Sequence, residues 1–362
     1  MTIHRVLYTS RSFEICEYGG VNRYFYEMLR AGPIAERFSV TLFAGLHLCR
    51  YPLAELRKKG IRVYGKRVPR FHGIGRLLRT ANSAMERMLV PRFDLVHQTF
   101  YAARFPYVRN AIHVTTVHDM IGEIFPGRMG DPLQAALKAE SVGNADGIVF
   151  DSESTRKDCF RLLPSSAAVP NKVVHLGVAP RPAHGSSLHT RPYILFVGER
   201  RGYKNFEVLR KAYATLGELG RQFDLVCFGG LPLGPDERDL TRYHGDDDVA
   251  AALYRHATCL VYPSDYEGFG LPPLEAFAYG CPVVTTNVSS MPEIVGAKAT
   301  MVSPGDVGAL SEALVKVLSS PVTSAQRVAL EAHAAAFTWE LAAYETAAFY
   351  SELLAKRKLP FR

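Results

Sequence analysis

Short apolar runs and amphipathic stretches alternate along this chain, and the series occurs twice. In the first half, Val6-Leu7-Tyr8 and residues 38–44, 94–97, 112–117 and 147–151 are brief, apolar and rich in β-branched or aromatic side chains. That is the pattern of strands covered on both faces, as in a parallel sheet. Residues 21–31, behind Gly19-Gly20, and residues 152–163 read as helices, and Ser152 is placed to cap the second. Residues 177–192 break the pattern with Pro180, Pro182 and Pro192 and no apolar period. A second series then begins. Strands are predicted at 193–198, 223–228, 259–262 and 282–285, and helices near 205–219, 249–257 and 273–279. From about Asp306 the pattern is nearly all helical. The implied class is α/β, with two Rossmann-like βαβ domains facing each other across a cleft. The expected division is an N-terminal domain over 1–178, a linker over 179–192 and a C-terminal domain over 193–340.

Length agrees with that division, since 362 residues at ~100–200 per domain make two domains. Apolar residues are 48% and charged residues 22%, which excludes a disordered polymer. No apolar run approaches the ~20 residues of a membrane span. Residues 1–18 show no signal-peptide apolar region. Six dispersed cysteines without a CxxC pair suit neither a zinc scaffold nor a disulfide framework. The expected location is cytoplasmic.

The net charge of +8 is uneven. Residues 1–185 carry 26 Lys and Arg against 15 Asp and Glu, whereas residues 186–362 carry 17 against 20. Residues 57–92 alone hold 11 basic residues, among them Lys58 and Lys59, against one acid, Glu86. Such a stretch suits an anionic membrane, a nucleic acid or an anionic substrate, and a solvated basic face is the plainer alternative.

Four clusters follow predicted strands, where open α/β sheets bind ligands. The first runs from Tyr262 to Ala276. Glu267 lies in a Gly-rich loop with Phe269, Gly270 and Leu271, and Glu275 lies on the opening helical turn. Glycines allow close backbone approach, Pro272-Pro273 suits a helix start, and such a start favours an anion. The two carboxylates suit sugar and ribose hydroxyls. Helix stabilisation is the alternative for Glu275, but a capping box would need Ser or Thr where Pro272 stands. The second cluster holds Arg200, Arg201 and Lys204, cations suited to a diphosphate; a solvated turn is the alternative. Neither a Walker loop nor a GxGxxG run occurs. The third is Gly19-Gly20 at a helix start, a second anion or sugar contact or an ordinary turn. The fourth is His118-Asp119, placed to donate to a sugar hydroxyl or a developing negative charge, or to serve structurally.

Together these residues resemble the family 4 glycosyltransferases, which have the GT-B fold. Glu267 and Glu275 match the family's E-x7-E signature, and residues 197–205 resemble its phosphate-binding strand and loop. Residues 18–25 look like its N-terminal glycine loop, and residues 117–121 and 289–295 match as well. The likeness runs through almost the whole chain and lies nearest the bacterial mannosyltransferase-like branch that builds polysaccharides and O-antigens. Two departures stand out. Tyr203 occupies the place before Lys204 where the family often has Arg, so the guanidinium falls to Arg200 or Arg201, with Arg200 favoured. Residues 230–248, which help to hold the donor base in relatives, are short.

The resemblance implies a final helix, 341–362, that crosses back to the N-terminal domain. It also implies a retaining transfer of a hexose, with mannose from GDP-mannose as the lead, from a nucleotide-diphosphate sugar to a glycan or polyprenyl-linked acceptor. Lys204 and Arg200, helped by Gly19 and Gly20, would stabilise the leaving diphosphate. Glu275 would hold ribose, Glu267 with Phe269, Gly270 and Leu271 would hold the sugar, and His118 would contact sugar or acceptor. No metal and no cofactor are expected, the nucleotide sugar being a substrate. The basic stretch would then meet the inner face of the plasma membrane, with no nucleic acid as partner. An epimerase or hydrolase of nucleotide sugars with the same two-domain form is the alternative, and a nucleic-acid binder a remoter one.

Overall fold

The computed structural model describes residues 3–71, 74–102, 105, 107, 110–126, 131–181, 186–237 and 239–358. The chain forms two compact units. One comprises residues 1–126, 130–177 and 339–362, and the other residues 127–129 and 178–338.

The first unit is built on a seven-stranded sheet. Its strands are β1 (Arg5–Tyr8), β2 (Ser39–His47), β3 (Arg62–Arg67), β4 (Leu95–Gln98), β5 (Ile112–Val117), β6 (Gly147–Phe150) and β7 (Asn171–Val173). They lie in the order β3-β2-β1-β4-β5-β6-β7, with every pairing parallel. The central strands are sealed on both faces, as their unbroken apolar runs require: Val6, Leu7 and Tyr8 are each 0% exposed.

Two elements of this unit carry no such signal. β3 is an edge strand on which only Val63 is buried, and its Arg62, Lys66 and Arg67 keep the open edge charged. The helix Ile74–Leu89 buries Ile74 and Leu78 but also Asn82 and Glu86 on the same face. Polar residues at buried positions conceal the helical period.

The second unit repeats the plan with six parallel strands: β8 (Tyr193–Val197), β9 (Asp224–Phe228), β10 (Thr241–Tyr243), β11 (Cys259–Tyr262), β12 (Val283–Thr286) and β13 (Thr300–Val302). The order is β10-β9-β8-β11-β12-β13. The core packs Ile194, Phe196, Leu209, Val261 and Leu314 between sheet and helices. The helix expected over 205–219 is two pieces, Phe206–Ala214 and Gly217–Gly220, because Gly217 turns the backbone at φ +56°. The acidic run at Asp246 starts a helix: its carboxylate accepts the N–H groups of Asp248 and Val249 and caps Asp247–His256.

Residues expected to form a linker are tied to this second unit. The Arg181 N–H donates to the Tyr279 hydroxyl at 2.9 Å, and its guanidinium meets Asp247 and Asp248 at 3.1 and 3.2 Å. His189 lies 2.8 Å from Asp224 and 3.2 Å from the Tyr243 hydroxyl.

After the second unit the chain returns to the first through the helix Trp339–Lys358, which packs on Gly20–Ala31 and Pro33–Arg37. Gly147 allows the approach, since a Cβ there would lie 2.5 Å from Leu353 Cδ1. The anchor is polar. The Tyr350 hydroxyl sits 2.8 Å from the Tyr8 hydroxyl and also bonds His97 Nδ1, while His97 Nε2 meets Thr116 Oγ1 at 2.8 Å. Burial pushes His97 down to about 3, so its ring is neutral. Tyr350→Phe orphans that ring nitrogen and should destabilise the first unit by roughly 1–3 kcal/mol. Urea unfolding followed by Trp339 fluorescence reads this unit alone, because Trp339 is the only tryptophan; an unchanged midpoint would contradict the anchor.

Candidate functional site

In the second unit the strand order reverses between β8 and β11, and the loops leaving these two strands diverge there. The loop after β8 turns at Gly198, whose φ of +120° favours glycine. It leads to Lys204 and then to Asn205, which is left-handed at φ +52° and starts the helix Phe206–Ala214. The loop after β11 carries Asp265 and Glu267. The two loops are joined: the Asp265 N–H donates to the Tyr203 carbonyl at 2.8 Å, and Asn205 Nδ2 donates to Asp265 Oδ1.

This joining brings Lys204 and Glu267 together. Lys204 Nζ lies 2.6 Å from Glu267 Oε1 and 2.5 Å from the Tyr262 hydroxyl, with the two charged side chains only 15% and 9% exposed. Its ammonium also stands over the rings of Tyr203 and Tyr262, at 4.9 and 4.7 Å. Burial, with the Glu267 charge nearby, holds the Tyr262 hydroxyl well above its ordinary value, so Tyr262 stays a neutral partner. The Glu267 backbone is pinned on both sides. Its N–H donates to Ser289 Oγ at 2.9 Å, and the Ser290 hydroxyl, with one proton to donate, lies 2.9 and 2.7 Å from the carbonyls of Glu267 and Phe269.

Phe269 and Gly270 are buried, and Leu271 opens the helix Leu271–Ala278. Pro272 and Pro273 have no N–H, so of the four unpaired positions at this helix start, Gly270 to Pro273, only Gly270 and Leu271 offer donors. Glu275 is half-buried and accepts the Tyr254 hydroxyl at 2.9 Å.

The arginines are placed differently. Arg201 is exposed. The Arg200 side chain is 5% exposed and bonds Glu237 Oε1 at 2.8 Å and the carbonyls of Leu231 and Pro232 at 2.5 and 3.1 Å. That guanidinium holds Glu237 below the usual carboxylate range and braces the loop after β9. Its Nη1 is buried without a hydrogen-bond partner among the described residues. Gly230 lies against the β8 loop, where a Cβ would be 2.8 Å from the Gly198 carbonyl.

Gly19, Gly20 and His118 belong to the first unit. Gly19 caps the helix Gly20–Ala31 in an extended conformation, and a Cβ on Gly20 would meet nothing within 4 Å. Neither glycine is demanded by its backbone, and open space lies at Gly20. His118 Nδ1 is 2.7 Å from Asp151 Oδ2, with the side chains 11% and 4% exposed. Its Nε2 is buried and has no partner among the described residues. Burial raises the Asp151 carboxyl against the lowering effect of His118.

Residues 19–177 match the glycosyl transferase 4-like domain, and residues 183–335 match the glycosyl transferases group 1 domain. O-antigen chain mannosyltransferase B of Escherichia coli is 32% identical over 271 residues, spanning 66% of this chain and 70% of that protein. The chain belongs to the family 4 glycosyltransferases. The serotype-specific mannosyltransferase WbdA of Escherichia coli is 31% identical over 310 residues, which are 76% of this chain and 38% of that longer protein. Among solved structures, sucrose-phosphate synthase from Thermosynechococcus elongatus superposes with a TM-score of 0.71 at 21% identity, covering 98% of this chain and 100% of that one. Anabaena Alr3699/HepE in complex with UDP and glucose superposes at 0.69 with 15% identity, covering 97% and 100%. The fold is therefore GT-B.

Within this glycosyltransferase, several supporting residues escape a reading of single motifs. Tyr262 ends a strand as an ordinary apolar residue, and Tyr254 and Glu237 reach the site only through tertiary contact. Ser289 and Ser290 lie in a segment that resembles the family, but their grip on Glu267 appears only in the fold. Gly270 is the position in this loop least open to change: its φ is +107°, and a Cβ would collide with Met291 Cε. Gly270→Ala should cost roughly 1–3 kcal/mol of backbone strain, measured as a lower midpoint for unfolding of the second unit; wild-type stability would contradict this loop geometry.

Proposed function

We propose that this glycosyltransferase moves a hexose from a nucleoside-diphosphate sugar to a hydroxyl of a glycan or lipid-linked acceptor, with retained configuration, in polysaccharide or O-antigen assembly. Mannose from GDP-mannose is the leading donor, supported by two relatives named as mannosyltransferases. The observation that carries the reading is the Lys204–Glu267 pair, a cation and a carboxylate held 2.6 Å apart just beyond two parallel strands.

As the glycosidic bond breaks, negative charge builds on the leaving diphosphate, and cations or N–H groups already aimed at it lower the barrier. Lys204 supplies the nearer cation, and Arg200, paired with Glu237, adds its charge at longer range. The N–H groups of Gly270 and Leu271 offer further donors. Glu267, once Lys204 turns to phosphate, is free to accept sugar hydroxyls beside the backbone of Phe269 and Gly270. Glu275 accepts ribose hydroxyls, as it accepts the Tyr254 hydroxyl now. His118 is held at Nδ1 by Asp151, and its Nε2, without a partner among the described residues, is left for an acceptor hydroxyl. The departing phosphate oxygen takes the acceptor proton, so the scheme needs neither an acid–base pair nor a metal. Lys204→Ala and Glu275→Ala should each lower transfer by ~10²–10³ in a direct assay, and near wild-type turnover in both would sink the assignment.

The first unit supports membrane contact at the basic stretch. Lys58, Lys59, Arg62, Lys66 and Arg67 are exposed. In the same unit the helix Ile74–Leu89 carries exposed Leu77 and Met88, 59% and 70% exposed, on one face with Ala84. Apolar residues flanked by cations suit the surface of an anionic bilayer, where each Lys or Arg is worth about 1 kcal/mol. No helix among the described residues is long and apolar enough to cross a membrane. Charge reversal with Lys58→Glu and Lys59→Glu should weaken co-sedimentation with phosphatidylserine vesicles on the order of tenfold or more at low salt, whereas unchanged or salt-insensitive binding would refute the contact.

A further inference from the structure

The first unit holds a cavity that the donor chemistry leaves unused. It lies beyond the carboxyl ends of β1 and β4, at this sheet's own reversal of strand order. Its volume is about 590 Å³, and an adjoining lobe of about 840 Å³ shares Arg11, Glu14, Arg79 and Gln134 with it.

The floor is polar and buried. Ser10, Glu14 and Glu86 are 1%, 5% and 4% exposed. Ser10 Oγ lies 2.6 Å from Glu14 Oε1 and 2.9 Å from Glu86 Oε1, while the Ser10 N–H donates to Glu86 at 2.9 Å. Ser10 has one hydroxyl proton for the two carboxyls, so a proton on either carboxyl would let all three groups bond at once. Glu14 accepts from Asn82 at 2.7 Å and pairs with Arg11 at 3.1 Å. Glu86 is the member that takes up a proton near neutral pH, because burial and the Glu14 charge push it up to about 7 against the lowering effects of Ser10 and Arg11. The floor is thus close to neutral. Asp131, also at the cavity, is occupied in capping the helix Pro132–Gly143.

The rim is cationic. Arg79 and Arg87 stand two turns apart on the helix Ile74–Leu89, with Ser83 between them, and Arg70 lines the adjoining lobe. All three arginines are exposed, and none pairs with an acid among the described residues. A floor of carboxyl and hydroxyl oxygens suits the hydroxyls of a sugar ring, and unpaired guanidinium groups suit phosphate or carboxylate.

We propose that this cavity binds an acidic saccharide, a sugar ring bearing a phosphate or a carboxylate, with Arg79 and Arg87 taking the charge and the Ser10–Glu14–Glu86 floor taking the hydroxyls. That this ligand is the acceptor rests on the transferase reading; the binding itself does not.

The test is calorimetric titration of the full chain, without donor, using glucose 6-phosphate, glucuronate and glucose. At least one acidic sugar should bind tenfold or more tightly than glucose, and the better of the two identifies the acidic group. The preference should persist in Lys204→Ala, which disables the donor site, and vanish in the surface variant Arg79→Gln/Arg87→Gln. Absence of a preference, its survival in the double variant, or its loss in Lys204→Ala would each overturn the proposal. Glucuronate keeps one charge across neutral pH, so its affinity should fall as pH rises through about 7 and Glu86 gives up its proton. Glu86→Gln should flatten that profile, and an unaltered profile would refute the part assigned to Glu86. Because no turnover is measured, failure of glycosyl transfer and failure of this site are read separately.

Discussion

The ammonium of Lys204 and the carboxylate of Glu267 stand 2.6 Å apart with little water around either. Their attraction offsets the hydration each has lost, and truncating one would leave a poorly solvated charge alone. To keep them together, two loops that leave non-consecutive strands must be held in fixed relation. Asn205 and Asp265 lock the loops, Ser289 and Ser290 hold the Glu267 backbone, and Tyr262 closes the third side of the ammonium. The site is built in advance; under the proposed function, a diphosphate sugar taking Lys204 with its phosphate and Glu267 with its hydroxyls would exchange one set of charge contacts for another.

The two units use their similar sheets differently. In the second, the reversal point gathers a few cations into a region that is otherwise near neutral or acidic. In the first, the basic excess spreads over β3 and the helix Ile74–Leu89, which turns three faces to different surroundings. Ile74 and Leu78 meet the core, Leu77 and Met88 meet solvent, and Arg79 and Arg87 meet a cavity. The basic residues of the chain are therefore divided between a small cluster at the reversal point of the second sheet and broad surfaces of the first unit.

Much of the scaffold was legible because parallel strands must be apolar throughout. Residues such as Ile194, Leu260 and Val284 announce themselves without an alignment. β3 and the helix Ile74–Leu89 did not, one because an edge strand is charged, the other because Asn82 and Glu86 occupy its buried face. At the site, Lys204, Glu267 and Glu275 were visible as charges following strands or opening a helix. The engagement of Arg200 by Glu237 was not, since it depends on a loop from a neighbouring strand. Nor was the Asp151 partner of His118, which lies 33 residues away along the chain and meets it only because β5 pairs with β6.

The most direct measurement of the central claim is nucleotide release from a panel of UDP-, GDP-, ADP- and TDP-hexoses, with and without a glycan or lipid-linked acceptor. The account predicts that one nucleotide predominates, with GDP leading, and that its release depends on acceptor. Release that is equally fast without acceptor, or no turnover of any donor in the panel, would contradict it.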